Sequence, residues 1–258
     1  FQIDTIMSVT GAELPISLDG QEYPGWSSIE VRAGQTLEFG YLRKGARIYI
    51  AISGGLDVPS VLGSRSTYLV GQLGGLFGRT LKKDDLLRCF DRKKPTKLIK
   101  IPDKLRRPVR DVTELRAVPG LFWHRLTEEA GVNFFKDQWK VSTEADRMGY
   151  RFSGGRAMEF VGREQPFGAG GDPSNIVDSP YPYGSIQVPS GLEPIVLHRD
   201  AVSAGGYFQI GAVISADMDL IGQLQPNKSV NFVRVDIDGA LSARAEEESR
   251  LEAIRSLF

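Results

Sequence analysis

The sequence predicts a mainly β fold with a few short helices and a C-terminal helix. Three observations carry this. The chain holds 29 glycines and 14 prolines in 258 residues. Its apolar runs are short and separated by turn residues. Few of them follow the helical period. At this length one large or two medium domains can each bury a core. Lys+Arg and Asp+Glu both number 32, so overall charge points to neither nucleic acid nor a membrane surface. The single cysteine, Cys89, excludes an intrachain disulfide. His124 and His198 lie far apart without acidic or thiol neighbours at metal-ligand spacing, so no metal is expected. No apolar stretch is long enough to span a bilayer, and no signal peptide opens the chain. A cytoplasmic protein is expected. The start at Phe1-Gln2-Ile3-Asp4, without methionine, suggests that residues precede it in the full protein.

The first region, 1–91, reads as short strands in succession. Ile6 to Thr10 leads to Gly11. Leu14 to Leu18 leads to Asp19-Gly20, a hairpin signal. Trp26 to Val31 alternates, and Thr36 to Phe39 returns after Ala33-Gly34-Gln35. Ala46 to Ile52 is a nearly unbroken apolar run that predicts a strand buried on both faces. It ends at Ser53-Gly54-Gly55. Ser53 lacks the Gly-x-Ser-x-Gly setting of a nucleophile.

Region 92–111 is a basic connector. Arg92 to Arg110 carries nine basic residues, one acidic residue and three prolines. It reads as a solvated linker with one edge strand, Leu98 to Ile101, in preference to an anion-binding patch.

Region 112–238 begins with a strand from Thr113 to Val118, stopped by Pro119-Gly120. Thr127 is set to cap a short helix with Glu128 and Glu129 in its first turn. Its buried end falls at Phe134-Phe135. Trp139 to Ser142 is a strand. Asp146 to Phe152 is a turn leading into another. Gly162 to Pro182 reads as a long irregular loop of the kind that serves function. Gly184 to Pro189 and Pro194 to Leu197 form a strand pair. Ser203 to Tyr207 reads as a glycine loop, because paired glycines allow positive φ and close approach of N–H groups to a ligand. Asp217 reads as the N-cap of a helix through Gly222. Ser229 to Val235 closes the sheet, and 239–258 forms the terminal helix. The turn-then-strand segments Arg32 to Phe39 and Leu224 to Phe232 hint at two similar β-domains.

Five blocks occur in order: Ser53-Gly54-Gly55, Gly63-Ser64-Arg65-Ser66, Asp146-Arg147-Met148-Gly149-Tyr150, Gly184 to Pro189, and Gly205-Gly206-Tyr207. As a set, from Val9 to Val235, they resemble the allophanate hydrolase subunit 2 family. That family includes the C component of the bacterial ATP-dependent 5-oxoprolinase, the Kip antagonist of Bacillus, and half of the carboxyltransferase domain of urea carboxylase. The resemblance implies two cyclophilin-like β-barrel regions and further sequence ahead of Phe1. It also implies a subunit 1 (Kip inhibitor-like) partner, separate or fused, with a composite site for a small amide or urea-like substrate. ATP or carboxybiotin would come through partner subunits, because the chain has neither a P-loop nor a Met-Lys-Met biotinyl motif. The Asp172-Pro173-Ser174-Asn175 segment is more like urea carboxylase relatives, and Gly184 to Pro189 more like the stand-alone subunits.

The expected catalytic residues are Arg65, Gln187 and Arg147. Arg65 and Arg147 offer planar donor forks for a carboxylate. Each has a structural reading as well: Arg65 can satisfy loop carbonyls, and Asp146-Arg147 can fix its own turn. Gln187 alternates with Ile186 and Val188, and its amide could read an amide or urea group if it lines the barrel mouth. Ser64, Asp146, Asn175, Gly205, Gly206 and Tyr207 are the expected substrate-binding residues. The two glycines offer backbone donors to an oxyanion. His198 reads as a strand-end histidine. The alternative to an enzyme subunit is a regulator that only binds a Kip inhibitor-like partner.

Overall fold

A computed structural model describes residues 1–90 and 97–258. Part of the basic connector, 92–96, therefore lies outside the described residues. The chain divides into two compact units, Phe1–Arg106 with Leu257–Phe258, and Arg107–Ser256.

The first unit holds β1 (Thr5–Glu13), β2 (Ile16–Leu18), β3 (Gln21–Tyr23), β4 (Ser28–Val31), β5 (Leu37–Phe39) and β6 (Lys44–Ile52). They form two three-stranded sheets, β4-β1-β6 and β3-β2-β5, where the resemblance implied a barrel. The β2–β3 hairpin turns at Asp19-Gly20, both at positive φ (48° and 83°). That is the mirror-image turn whose twist matches paired strands. Met7, Leu18, Ile29 and Val31 form the core. β6 corrects one expectation. Tyr49 and Ile50 are 59% and 45% exposed, because β6 pairs only with β1 in its sheet and is an edge strand. Leu98 to Ile101 contributes a single bridge, Ser27 to Lys100, in place of the expected edge strand.

The second unit holds β7 (Val112–Pro119), α1 (Glu128–Lys136), β8 (Gln138–Ala145), β9 (Gly149–Ser153), β10 (Asn175–Pro180), β11 (Ser185–Gln187), β12 (Ile195–Leu197), β13 (Ala204–Tyr207), β14 (Gln209–Val213), α2 (Met218–Ile221), β15 (Ser229–Arg234) and α3 (Ile237–Arg255). Seven strands close a barrel in the order β11-β12-β9-β8-β15-β7-β14. β15 lies parallel to β7 and antiparallel to β8. Trp139, Phe134, Phe152 and Phe232 fill the core. Phe134 stacks on Phe232 at 4.8 Å, and the Trp139 indole N–H donates to the Phe134 carbonyl at 3.1 Å. Burying Trp139 thus leaves no polar atom unmatched.

Thr127 caps α1 as expected, accepting from the Ala130 N–H. Asp236 caps α3 by accepting from Gly239 N–H. α3 packs through Ala240 and Ala243 on Ile214, Ala216 and Val118. Small side chains let it sit close to the barrel.

Two expectations fail along one ribbon. Part of the predicted 162–182 loop is β10, and the predicted loop at Ser203 to Tyr207 is β13; the two pair antiparallel. Neither Gly205 nor Gly206 has positive φ. Their glycine requirement is spatial. A Cβ on Gly205 would lie 3.1 Å from the Tyr181 ring, and one on Gly206 would lie 3.0 Å from the Ile176 carbonyl.

Gly184 does need its left-handed backbone. Its φ is +91°, and a Cβ there would meet the Val213 carbonyl at 2.8 Å and Met218 Sδ at 3.0 Å. Gly184→Ala is expected to cost about 2 kcal/mol, read as a lower urea midpoint at unchanged slope.

Candidate functional site

The residues brought together in the second unit form two adjoining features: a buried polar network beneath the β10–β13 ribbon, and an open cavity beside it.

Tyr181 is the link between them. It follows β10 and is 6% exposed. Its hydroxyl donates to the Tyr207 carbonyl and accepts from the Tyr207 N–H, both at 2.8 Å. Its hydroxyl faces the Gln187 side chain, and burial pushes the phenol above its ordinary pKa. Alternation along β11 explains the contact. Ile186 and Val188 belong to the barrel core, so Ser185 and Gln187 project to the other side of the sheet. There Gln209, opposite Gln187 in the β11–β14 register, donates to Ser185 Oγ at 2.8 Å. Ser185 Oγ donates in turn to the Pro182 carbonyl at 2.6 Å. Ser185, Gln187 and Gln209 are all buried. Ser185 and Gln209 each have a partner, as a buried polar group must.

The cavity, about 200 Å³, is lined by Tyr181, Pro182, Tyr183, Leu197, His198, Arg199, Ala201, Val202 and Ser203. The Arg199 guanidinium lies 4.1 Å from the Tyr183 ring centroid, a cation–π distance. Among the described residues Arg199 makes no ion pair. The His198 ring, at the end of β12 as expected, packs between Tyr150 (5.8 Å) and Tyr183 (5.5 Å).

One edge of this region is braced by the expected Asp146-Arg147 block. Arg147 forms a two-pronged bond to Asp200, at 2.7 and 2.9 Å. This bond holds the Asp200 carboxyl below its usual range. Asp146 accepts from the Met148 and Gly149 N–H groups. The backbone N–H groups of His198 and Asp200 donate to the Met148 and Arg147 carbonyls. Arg147 and Asp146 therefore fix the β8–β9 turn to the strand end that carries His198 and Arg199.

The expected site residues separate into groups. Gln187, Gly205, Gly206 and Tyr207 meet at Tyr181. Arg147 and Asp146 sit beside the cavity. Asn175 pairs with Tyr207 across the ribbon, so its backbone stands beside the residue that the Tyr181 hydroxyl holds. Arg65 and Ser64 belong to the first unit. There Arg65 Nε donates to the Val58 carbonyl at 3.1 Å, and its guanidinium lies 5.1 Å from the Phe90 ring. Ser64 Oγ accepts from the Ser66 N–H. Both brace their own loop. Tyr181, Gln209 and Arg199 were missed. Tyr181 and Arg199 sit in segments with no periodic pattern. Gln209, however, could have been found by its place in an otherwise apolar strand.

The second unit is thus a closed β-barrel with a buried polar network and an adjoining cavity that presents a guanidinium. Comparison makes the class specific. Residues 1–234 match the model of the carboxyltransferase domain, subdomain A and B; the chain belongs to this family. It is 34% identical to urea amidolyase of Saccharomyces cerevisiae over its whole length, spanning 14% of that protein. It is 32% identical to the C component of 5-oxoprolinase of Escherichia coli, covering 98% of this chain and 77% of that polypeptide. Among solved structures, the urea carboxylase of Kluyveromyces lactis superposes on all of this chain and 23% of its own, with a TM-score of 0.90 at 30% identity. These relatives are components of enzymes, and the allophanate hydrolase subunit 2 resemblance is the same relationship. No described helix is long and apolar enough to cross a membrane.

Proposed function

We propose that this chain is one part of a composite carboxyltransferase that acts on a small amide or urea-like substrate in the cytoplasm. A subunit 1 (Kip inhibitor-like) partner, separate or fused, completes it. The observation that carries the reading is the cavity at Arg199, Tyr183 and Tyr181, in a chain that superposes along its whole length on 23% of urea carboxylase. A guanidinium fork held over an aromatic ring suits a carboxylated amide. Were carboxybiotin bound here, Arg199 would be the residue to hold its carboxylate. Carboxybiotin, delivered by another domain, would supply the carboxyl group.

The chain's own residues orient and stabilise. Arg199, held over the Tyr183 ring, draws negative charge to one side of the cavity. Tyr181, its hydroxyl fixed by the Tyr207 backbone, holds the wall between ribbon and cavity in one position. Such preorganisation lowers the barrier because no group must reorient as charge moves.

A second reading is a component of an ATP-dependent 5-oxoprolinase. Its support is length: the chain covers 77% of the bacterial C component, a stand-alone polypeptide. One experiment separates the two. The chain is co-purified with its partner subunits and assayed for biotin-dependent fixation of bicarbonate onto urea, and for ATP-dependent cleavage of 5-oxoproline. Arg199→Ala is expected to raise KM about tenfold, the loss of one charge-assisted bond. Absence of both activities alongside tight partner binding would overturn the enzyme reading and leave the regulator.

A further inference from the structure

At the Asn175 end of the ribbon, two arginines converge without a counter-charge among the described residues. Arg125 follows Trp123 and His124 in a single 3₁₀ turn and is only 4% exposed. Its Nη1 donates to the Asn175 carbonyl at 3.0 Å, and its Nη2 donates to the Pro173 carbonyl. Arg163, exposed on the 162–174 loop, donates to the same Asn175 carbonyl at 3.0 Å. The two guanidinium groups thus lie within two hydrogen-bond lengths of each other. Arg125 also faces Phe160 and Phe208, at 5.8 and 6.0 Å, and its Nε is buried without a hydrogen bond.

Buried arginines normally carry a carboxylate partner, because an uncompensated buried charge is costly. Among the described residues neither Arg125 nor Arg163 makes an ion pair. Asp172, three residues before Asn175, is engaged elsewhere: its Oδ1 accepts from the N–H and hydroxyl of Ser174 at 2.8 and 2.7 Å. Burial and the neighbouring Arg163 charge depress the Arg125 pKa, as expected where positive charge accumulates without relief.

We propose that Arg125 and Arg163 form a binding site for one compact oxyanion, the carboxylate of a small molecule or a phosphate group. Two forks sharing one carbonyl leave N–H groups that a two-oxygen acceptor can bridge. Arg163, on the exposed side, is the point of entry. Arg125, on the buried side, supplies the low-dielectric half, where an ion pair is strongest. The bound anion would tie the 162–174 loop to the 3₁₀ turn and so to the start of the ribbon. The proposal is independent of carboxyl transfer at the Arg199 cavity, and its readout is binding rather than turnover.

The test titrates the intact chain with inorganic phosphate and, separately, with acetate and bicarbonate, by calorimetry and by thermal shift at constant ionic strength. Saturable binding of one class, with a concentration-dependent rise in Tm, is expected. The class that binds identifies the source. Arg163→Gln should weaken that binding at least tenfold, whereas Glu164→Gln should leave it unchanged. Arg163 is exposed, so this variant keeps the test valid even if Arg125→Met fails to fold. No saturable binding of any of the three anions, or equal affinity in Arg163→Gln, overturns the site.

Discussion

Asp217→Ala is expected to destabilise the second unit by about 3 kcal/mol, a fall in Tm of roughly 6–12 °C for a unit of this size. Asp217 is 2% exposed. Its Oδ2 accepts from both the backbone N–H and Nε of Arg116 at 2.9 Å, and its Oδ1 accepts from Arg116 Nη2 at 2.7 Å. Arg107 Nη2 adds a fourth bond at 3.2 Å. Removing the carboxylate strands the Arg116 guanidinium and its backbone N–H, whereas Arg107 keeps its bond to Asp219 at 2.6 Å. The arginines are part-exposed, at 34% and 21%, and can turn to water, which puts the loss at the low end for a broken buried pair. The double replacement Arg116→Met/Asp217→Leu should recover most of the loss, because an apolar pair of similar volume incurs no desolvation cost. Calorimetry of the three proteins checks this. A drop of only a degree or two in Asp217→Ala would mean that the network contributes no more than an exposed ion pair.

The same residue gives a pH dependence. Burial alone would raise the Asp217 pKa, but the bonds from Arg116 and Arg107 outweigh it and hold the carboxyl below its usual value. A depressed folded-state pKa means that the stabilisation is fully present above the unfolded value of about 4. It is lost as pH falls through the folded value. The Tm gap between wild type and Asp217→Ala should therefore be constant near neutrality and narrow below about pH 4.

Asp217 also marks where local sequence reasoning runs out. A helix-capping Asp before Leu220 and Ile221 is a sound local reading, yet its side chain makes no capping bond. The stronger partner, Arg116, lies 101 residues away. Features set by neighbours in sequence were legible: the Asp19-Gly20 hairpin, the Thr127 cap, the β9 turn and the terminal helix. Features set by distant pairing were not. Nothing near Asn175 reveals that its ladder partner is Tyr207, so β10 reads as loop. The paired glycines of β13 read as turn formers, whereas their lack of side chains admits Tyr181 and Ile176. For Gln187, strand alternation gave the face but not Tyr181, the group that occupies it. Arg65 reads as either functional or bracing. The structure supplies its bracing contacts, within its own unit.

Tyr181→Phe is the second large effect, and it falls on turnover. The ring, which forms part of the cavity wall, is kept; only the oxygen goes. That oxygen makes two hydrogen bonds at once, to the N–H and the carbonyl of Tyr207, and faces the Gln187 amide. Gln187 and Tyr181 are 5% and 6% exposed, so water cannot readily replace the lost partner, and unfolding becomes easier by about 1–3 kcal/mol. The consequence for the proposed chemistry is larger. Gly205 sits against the Tyr181 ring, so releasing the hydroxyl frees the β13 strand and the cavity wall to shift together. A displacement near 1 Å at a reacting group lowers turnover by about 10²-fold. The loss should appear in kcat more than in KM, because Arg199 still binds charge while the wall no longer holds one geometry. Arg199→Ala, by contrast, should act mainly on KM. Wild-type kcat in Tyr181→Phe, measured well below its Tm, would mean that the polar network supports the fold alone and that the reacting groups lie elsewhere.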